Sequence, residues 1–319
     1  MKDLSIYYTV GALLYCPANN ESIAKSIIQE RFGNKYSLAL CLEDTIKDDC
    51  VQEAECKLIT ALQCIHEASL SQNFYIPKIF IRVRNPEQIP LLFDQLEAAS
   101  TLITGFIIPK FALDNADAYI GAIEKLNNIS NNPVYMMPIF ESPTIIHLQH
   151  RAHILYALKE KLDTIAPYVL NIRVGGNDLC HTFGFRRQKD ESIHSIKPID
   201  NIFSDIITVF GMDYVVSGPV WEYYSGDGWD TGLANELKED QLCGFLGKTA
   251  IHPNQIAIIN EAYKVSRNDY EDAKAILNWS EESNKLVSGS SSRERMNEYK
   301  THHNWARKIL FMAEYYGIK

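Results

Sequence analysis

What the chain lacks narrows its function first. No apolar run approaches the ~20 residues that a membrane-spanning helix needs. No Lys/Arg-rich run interleaves with aromatic residues, and the formal net charge is −9. A nucleic-acid partner is therefore not expected, although a few local Arg and Lys can still hold a small anionic substrate. The seven cysteines are odd in number and form no CxxC pair. They argue against a disulfide scaffold and for a reduced, cytoplasmic protein in which cysteine serves as a small buried apolar residue. The opening MKDLSIYYTVGALLYCP has a charged end and an apolar middle. Asp3, its tyrosines and its continuation into a strand pattern speak against a signal peptide.

What is present is a regular alternation. Short apolar runs at Val10–Cys16, Ser37–Leu42, Lys78–Val83, Thr104–Ile108, Val134–Phe140, Tyr168–Val174, Asp213–Ser217 and Phe245–Ile251 read as strands. Helical patterns separate them. Between about Cys50 and Ser69 the apolar residues Val51, Ala54, Leu58, Ala61, Leu62 and Ile65 repeat with the helical period. Helices are also expected at Ser22–Arg31, from Pro86 to about Ala99, Asp114–Leu126, Thr144–Leu162, Ile202–Phe210, Leu233–Leu242 and Asn254–Val265. Eight such units fit an α/β fold, a (β/α)8 barrel whose short strands are buried on both faces. The open doubly wound sheet is the competitor, but it wants a Gly-rich turn after the first strand, where this chain has YCPANN. Two further helical patterns, Asp269–Val287 and Arg293–Tyr316, flank an SGSSS stretch. The expected division is a catalytic barrel over residues 1–266 and a C-terminal helical appendage over 267–319, acting as lid or oligomer contact.

A barrel of this kind gathers the residues just after its strands on one rim, where barrel enzymes place their sites. Those residues are Glu43, Asp44, Arg82, Arg84, Lys110, Glu141, Asp178, Lys248 and His252. Glu141 and Asp178 end adjacent strands, and two hard oxygen ligands with room for water and substrate suit Mg²⁺. Both also fit as helix caps. Arg82, in IFIRVRN, suits bidentate capture of a substrate carboxylate and equally a structural pair with Glu43 or Asp44. Lys110 reads as a Schiff-base nucleophile or, more simply, as the neutraliser of nearby carboxylates. Gly175-Gly176 allows close backbone approach to a ligand or forms a tight turn. His252 is a rim ligand or a satisfied structural residue. Trp221, Tyr223, Tyr224 and Trp229 wall a pocket or pack their own insertion loop.

Taken together, ALLYCPANN, LALCLEDTIKDD, FIRVRN, GFIIPK, MPIFES, VGGNDL and GKTAIHPNQI resemble, in that order, the citrate lyase β-subunit-like (HpcH/HpaI aldolase) superfamily of TIM-barrel enzymes. The C-terminal RMNEYKTHHNWARKIL is similar to a subgroup of barrel-fold C–C bond lyases found near tellurite-resistance and stress gene clusters. The resemblance implies that Glu141 and Asp178 are Mg²⁺ ligands and that Arg82 binds the substrate's carboxylate or carbonyl end. It implies that Glu43 and Asp44 order metal-bound water and the arginine, with Lys110 and Lys248 as recurring lysines and His252 shaping the rim. The chain departs from the family at Cys41, where Asp is usual, and at Ala18, where Gly is usual. The insertions Cys180–Asp200 and Pro219–Gly232, with Arg186 and Arg187, differ from those of acyl-CoA-cleaving members. They weigh against a CoA thioester and leave the metal chemistry standing.

The resulting expectation is a Mg²⁺-dependent lyase or aldolase acting on a 3-hydroxy or 2-oxo acid. Arg82, Glu43, Asp44 and Lys110 are its catalytic candidates. Gly175, Gly176, Arg186, Arg187, Lys248 and His252 are substrate-binding candidates, and a CoA thioester or a phosphorylated, nucleotide-like group remains a candidate substrate. The alternatives are a Schiff-base aldolase using Lys110 or Lys248 and a non-catalytic metabolite-binding barrel. A homo-oligomer, trimer or hexamer, accompanies the superfamily reading.

Overall fold

The computed structural model of the chain describes residues 5–279 and 285–319. It contains two compact units, one of Val10–Ile259 and one of Met1–Thr9 with Asn260–Lys319.

The larger unit is built on eight parallel strands: β1 (Ala12–Pro17), β2 (Ser37–Cys41), β3 (Lys78–Arg82), β4 (Ile103–Ile108), β5 (Tyr135–Phe140), β6 (Ile172–Val174), β7 (Val216–Ser217) and β8 (Lys248–Ala250). Their spatial order is β7-β6-β5-β4-β3-β2-β1-β8. A parallel bridge from Gly218 to Lys248 brings the two ends together. Leu246 N–H donates to the Val216 carbonyl at 2.8 Å and Gly218 N–H to the Gly247 carbonyl at 3.0 Å. The expected barrel is therefore present. Its strands are apolar on both sides, as in β2, where every residue is buried, because one face fills the barrel and the other meets helices.

The barrel helices are α1 (Ile23–Ile28), α2 (Val51–Ser69), α3 (Gln88–Gln95), α4 (Ala116–Ile129), α5 (Leu148–Asp163), α6 (Gly176–Phe183), α7 (Lys197–Phe210), α8 (Trp229–Leu242) and α9 (Asn254–Tyr263). In α2 the buried residues are Ala54, Leu58, Leu62 and Ile65, one stripe spaced three and four apart. In α7 they are Ile199, Ile202, Phe203, Ile206, Val209 and Phe210. Each fully buried side chain of this size contributes roughly 1.5–3 kcal/mol of transfer free energy.

Several boundaries differ from those expected. The helix expected to about Ala99 ends at Gln95 and continues as a 3-10 turn, Glu97–Leu102, with Glu97 at φ +48. The helix expected from Thr144 starts as a 3-10 turn at Pro143–Ile145, and α5 proper begins at Leu148. The polar insertion after β6 holds α6 and the first turn of α7. The cysteines also differ from expectation: Cys16, Cys41 and Cys180 are buried, whereas Cys56, Cys64 and Cys243 are exposed and Cys50 lies between. Cys56 and Cys64 fall off the apolar stripe of α2.

The smaller unit pairs α10 (Arg267–Leu277) with α11 (Tyr299–Tyr316). Ala273, Ile276 and Ala306 form its core, with Leu277, Trp305, Ile309 and Leu310 against them. Part of the helix expected over Asp269–Val287 lies outside the described residues; α10 ends at Leu277, and Val287 belongs to a short hairpin, β9 (Val287–Gly289) with β10 (Met296–Glu298). The helix expected from Arg293 starts at Tyr299, since Arg293 sits in a turn at φ +59. Among the described residues, no helix is long and apolar enough to cross a membrane.

One position tests the packing of the barrel wall. A Cβ on Gly105 of β4 would lie 2.1 Å from the Tyr135 carbonyl oxygen of β5, and neither strand can yield without breaking the ladder. Gly105→Ala is expected to cost about 1–3 kcal/mol or more by chemical denaturation; unchanged stability would show that the wall adapts.

Candidate active site

The charged rim is set by strand ends. Arg82 is the last residue of β3, in register with Cys41 of β2 and Ile107 of β4. Its side chain is 9% exposed, and the guanidinium carbon lies 5.9 Å from the centre of the Tyr15 ring. Nη2 faces three carboxylates: Glu43 Oε2 at 2.5 Å, Asp44 Oδ2 at 2.7 Å and Glu141 Oε1 at 3.3 Å. The arginine two residues on works differently. Arg84 holds the loop that carries Glu43 and Asp44, donating from Nε to the Leu42 carbonyl at 2.7 Å and from Nη2 to the carbonyls of Glu43 and Ile46.

Lys110 completes the cluster from the end of β4. Its backbone takes φ +48, a region that residues with a Cβ seldom occupy. That conformation points its N–H at Glu141 Oε1, 3.0 Å away. Its Nζ pairs with Glu43 and, at 3.3 Å, with Asp44. Glu141 follows β5 and is 2% exposed in its side chain. Gly175, which ends β6, makes room for it: a Cβ there would fall 2.2 Å from Glu141 Oε2. Gly176 is packed against Ile193 and Pro219 in the same way. Both glycines therefore serve close packing, and Gly175 serves it directly beneath a site carboxylate. Asp178 sits in the first turn of α6, half-buried, where the helix dipole favours an anion.

Burial is the main reason that the Glu141 carboxyl is pushed up to about 8, with the charge of Asp178 adding to it and Arg82 opposing. Burial likewise raises Glu43. For Asp44, burial is outweighed by its hydrogen bond with Glu43 and the charges of Arg82 and Lys110, so its carboxyl is held below the usual range. Desolvation works against the Lys110 ammonium, but Glu43 and Asp44 more than offset it and raise its pKa.

Glu43, Asp44, Arg82, Lys110, Glu141 and Gly175 thus meet in one cluster, and Asp178 is close enough to be felt by Glu141. The remaining candidates go elsewhere. Lys248 is fully buried with its Nζ 2.9 Å from Glu236 and 2.6 Å from Asp240. Arg187 is buried against Glu236, at 3.2 Å, and over the Trp221 ring. Lys248 therefore stands apart from the rim cluster, whereas Arg187 keeps an edge on a cavity beside Arg186. His252 stacks on Tyr224 at 4.6 Å and accepts the Asn254 N–H at the start of α9. Arg186 is 80% exposed and pairs loosely with Glu222 at 3.4 Å. It lines this cavity of about 180 Å³ with Arg187, Asn177, Cys180, His181, Phe185 and Glu222. Trp221 is buried and touches Tyr223, so that part of the insertion packs itself. Tyr15 was missed in the sequence because it carries no charge; its place at the end of an apolar strand was the available signal.

A family model described as C–C bond lyase of the TIM-barrel fold matches residues 4–318. The chain belongs to that family. It is a carbon–carbon bond lyase by membership, and its solved neighbours share the fold. The Mycobacterium tuberculosis protein CitE, in complex with magnesium, acetoacetate and coenzyme A, aligns at TM-score 0.59 and 17% identity over 97% of this chain and 99% of that one. A citrate lyase from Burkholderia xenovorans LB400 aligns at TM-score 0.70 and 15% identity over 97% and 93%. The citrate lyase β subunit from M. tuberculosis, complexed with oxaloacetate and magnesium, aligns at TM-score 0.52 and 18% identity over 82% and 99%. No curated protein matches the lyase.

Two outcomes follow for this lyase. Because the Glu141 carboxyl is raised to about 8, its protonated form stabilises the fold; that contribution is complete below the ordinary carboxylate range and is lost as pH rises through about 8. In chelator-treated protein, stability is expected to fall over that window and Glu141→Gln to flatten it; parallel pH profiles would contradict the assignment. Arg187→Ala is expected to cost about 3 kcal/mol by removing one of the two buried cations that face Glu236, Lys248 being the other, whereas Arg186→Ala stays within about 0.5 kcal/mol, both read by urea denaturation.

Proposed function

We propose that this lyase makes or breaks a carbon–carbon bond in a 3-hydroxy or 2-oxo acid with the help of Mg²⁺ held by Glu141 and Asp178. The observation that carries this reading is the buried Glu141 carboxylate, whose ionisation burial and Asp178 both oppose. A hard divalent cation with oxygen ligands is what such a pair accommodates. Magnesium with oxaloacetate or acetoacetate in solved relatives supports it.

Bound there, Mg²⁺ would supply Lewis acidity toward the substrate's carboxylate and adjacent oxygen. The chain's own groups do the rest. Arg82, already fixed by three carboxylates, orients the substrate's acid group. Glu43, whose carboxyl burial raises above its ordinary value, takes the proton from the 3-hydroxyl. The hydroxyl carbon then becomes a carbonyl as the C2–C3 bond breaks, its electron pair staying on the departing α-carbon. Lys110 and Asp44 hold Glu43 in place. Arg186 faces the adjacent cavity and is the group available to a distal anionic portion of the substrate, phosphate or CoA included.

Schiff-base chemistry gains nothing from the geometry. It needs a neutral amine, yet Lys110 is held cationic by Glu43 and Asp44, and Lys248 is enclosed by two carboxylates. The same reading assigns the C-terminal helical unit to lid or oligomer contact, the assembly to a trimer or hexamer, and the protein to the cytoplasm.

Isothermal titration with Mg²⁺ and oxaloacetate or pyruvate tests the proposal. Wild type is expected to bind the acid only with Mg²⁺ present, and Glu141→Ala to lose that dependence. Equal binding by both proteins would sink the metal assignment.

A further inference from the structure

A second group of ligand-type side chains lies in the helical layer outside the barrel, where α7 begins and α8 ends. His194 sits in a 3-10 turn just before α7, with its ring buried. Its Nδ1 is 3.2 Å from Asp200 Oδ1 and 3.7 Å from the Sγ of Cys243, the residue that ends α8. One ligand atom from each of the three lies within 4.8 Å of the others. On the far side of the ring, Nε2 is 2.8 Å from Asp240 Oδ1, whose other oxygen is 2.6 Å from Lys248 Nζ. Lys197 Nζ is 3.2 Å from Asp200 Oδ2 and so leaves Oδ1 facing the imidazole.

We propose that His194 Nδ1, Asp200 Oδ1 and the Cys243 thiolate form a Zn²⁺ site, with water as the fourth ligand. The spacings carry the argument. Zinc bonds of about 2.0–2.3 Å at tetrahedral angles put N and O about 3.3 Å apart, and N and S about 3.6 Å apart. The two separations, 3.2 and 3.7 Å, match those edges. With Nε2–H donated to Asp240, Nδ1 would turn its lone pair toward the other two ligands, the usual carboxylate–histidine arrangement behind a zinc ligand. The mixed N, O and S donor set suits zinc and not magnesium, which separates this site from the barrel mouth. Cys243 is exposed, so solvent supplies both the ion and the water. Binding releases the thiol proton and any proton on Nδ1. The ion would clamp the start of α7 to the end of α8, directly above the Asp240–Lys248–Glu236 network that reaches β8.

The competing account is a metal-free imidazolium held between Asp200 and Asp240. Titration of the full chain with Co²⁺, followed by absorption, separates the two. The proposal expects one equivalent with a thiolate-to-cobalt charge-transfer band, at least tenfold weaker binding in Cys243→Ser and in Asp200→Asn, and an unchanged band in Glu141→Ala. Zinc should raise the Tm of wild type but not of Cys243→Ser. Absence of the thiolate band, or an equal band in Cys243→Ser, overturns the site. Circular dichroism of the exposed-site variant Cys243→Ser establishes that it is folded.

Discussion

The guanidinium of Arg82 is the constraint on which the rim depends. Three carboxylates from two strand ends, Glu43 and Asp44 after β2 and Glu141 after β5, meet at a single nitrogen of this side chain. Without a cation their mutual repulsion and desolvation would drive at least one to protonate or withdraw. A buried arginine stripped of these partners would itself be strongly destabilising. The pairing therefore fixes the β2–α2 loop, the left-handed turn at Lys110 and the orientation of Glu141 at once. Arg84 supports the arrangement from outside by tying down the carbonyls of the same loop.

The barrel carries two ionic networks with different physical characters. At the rim, Lys110 and Asp44 are about half exposed, and Glu43 and Glu141 are buried beneath them. Water reaches this network, and its charges are free to be redistributed. In the outer layer, Lys248, Glu236 and Asp240 are fully enclosed, and Arg187 closes the group. There the charges balance internally, which suits holding β8, α8 and the insertion together more than chemistry. That contrast is why lysines of similar appearance in the sequence, Lys110 and Lys248, have different uses.

The barrel was legible in the sequence because each strand and helix carries its period in apolar residues, and the strand-end acids were legible because charge is conspicuous after an apolar run. Glu43, Asp44, Arg82, Lys110 and Glu141 were all found that way. Lys248 was read with the rim although it lies inside the run Phe245–Ile251; it starts β8, and its side chain goes to Glu236 and Asp240. That Arg187 turns inward to Glu236 while lining the cavity beside Arg186 was not legible, because sequence does not show which insertion residue turns inward and Glu236 lies on a helix far along the chain. Helix α6 was legible as the short helix that Asp178 could cap, but Gly175-Gly176, which read as a turn, hid its start at Gly176. The hairpin β9–β10 was hidden because its strands are three residues each, too short for an apolar alternation to show. His194 and Asp200 gave no signal in sequence, since only folding brings Cys243 beside them.

The central claim is that Glu141 and Asp178 together hold the cation that makes the rim a catalytic centre. A crystal structure of the protein soaked with Mg²⁺ and a 2-oxo acid tests it most directly. The account expects one octahedral ion ligated by both carboxylates, with the acid's carboxylate and oxo oxygens completing its shell and Arg82 beside them. A 2-oxo acid bound at the rim with no ion between Glu141 and Asp178 would contradict it.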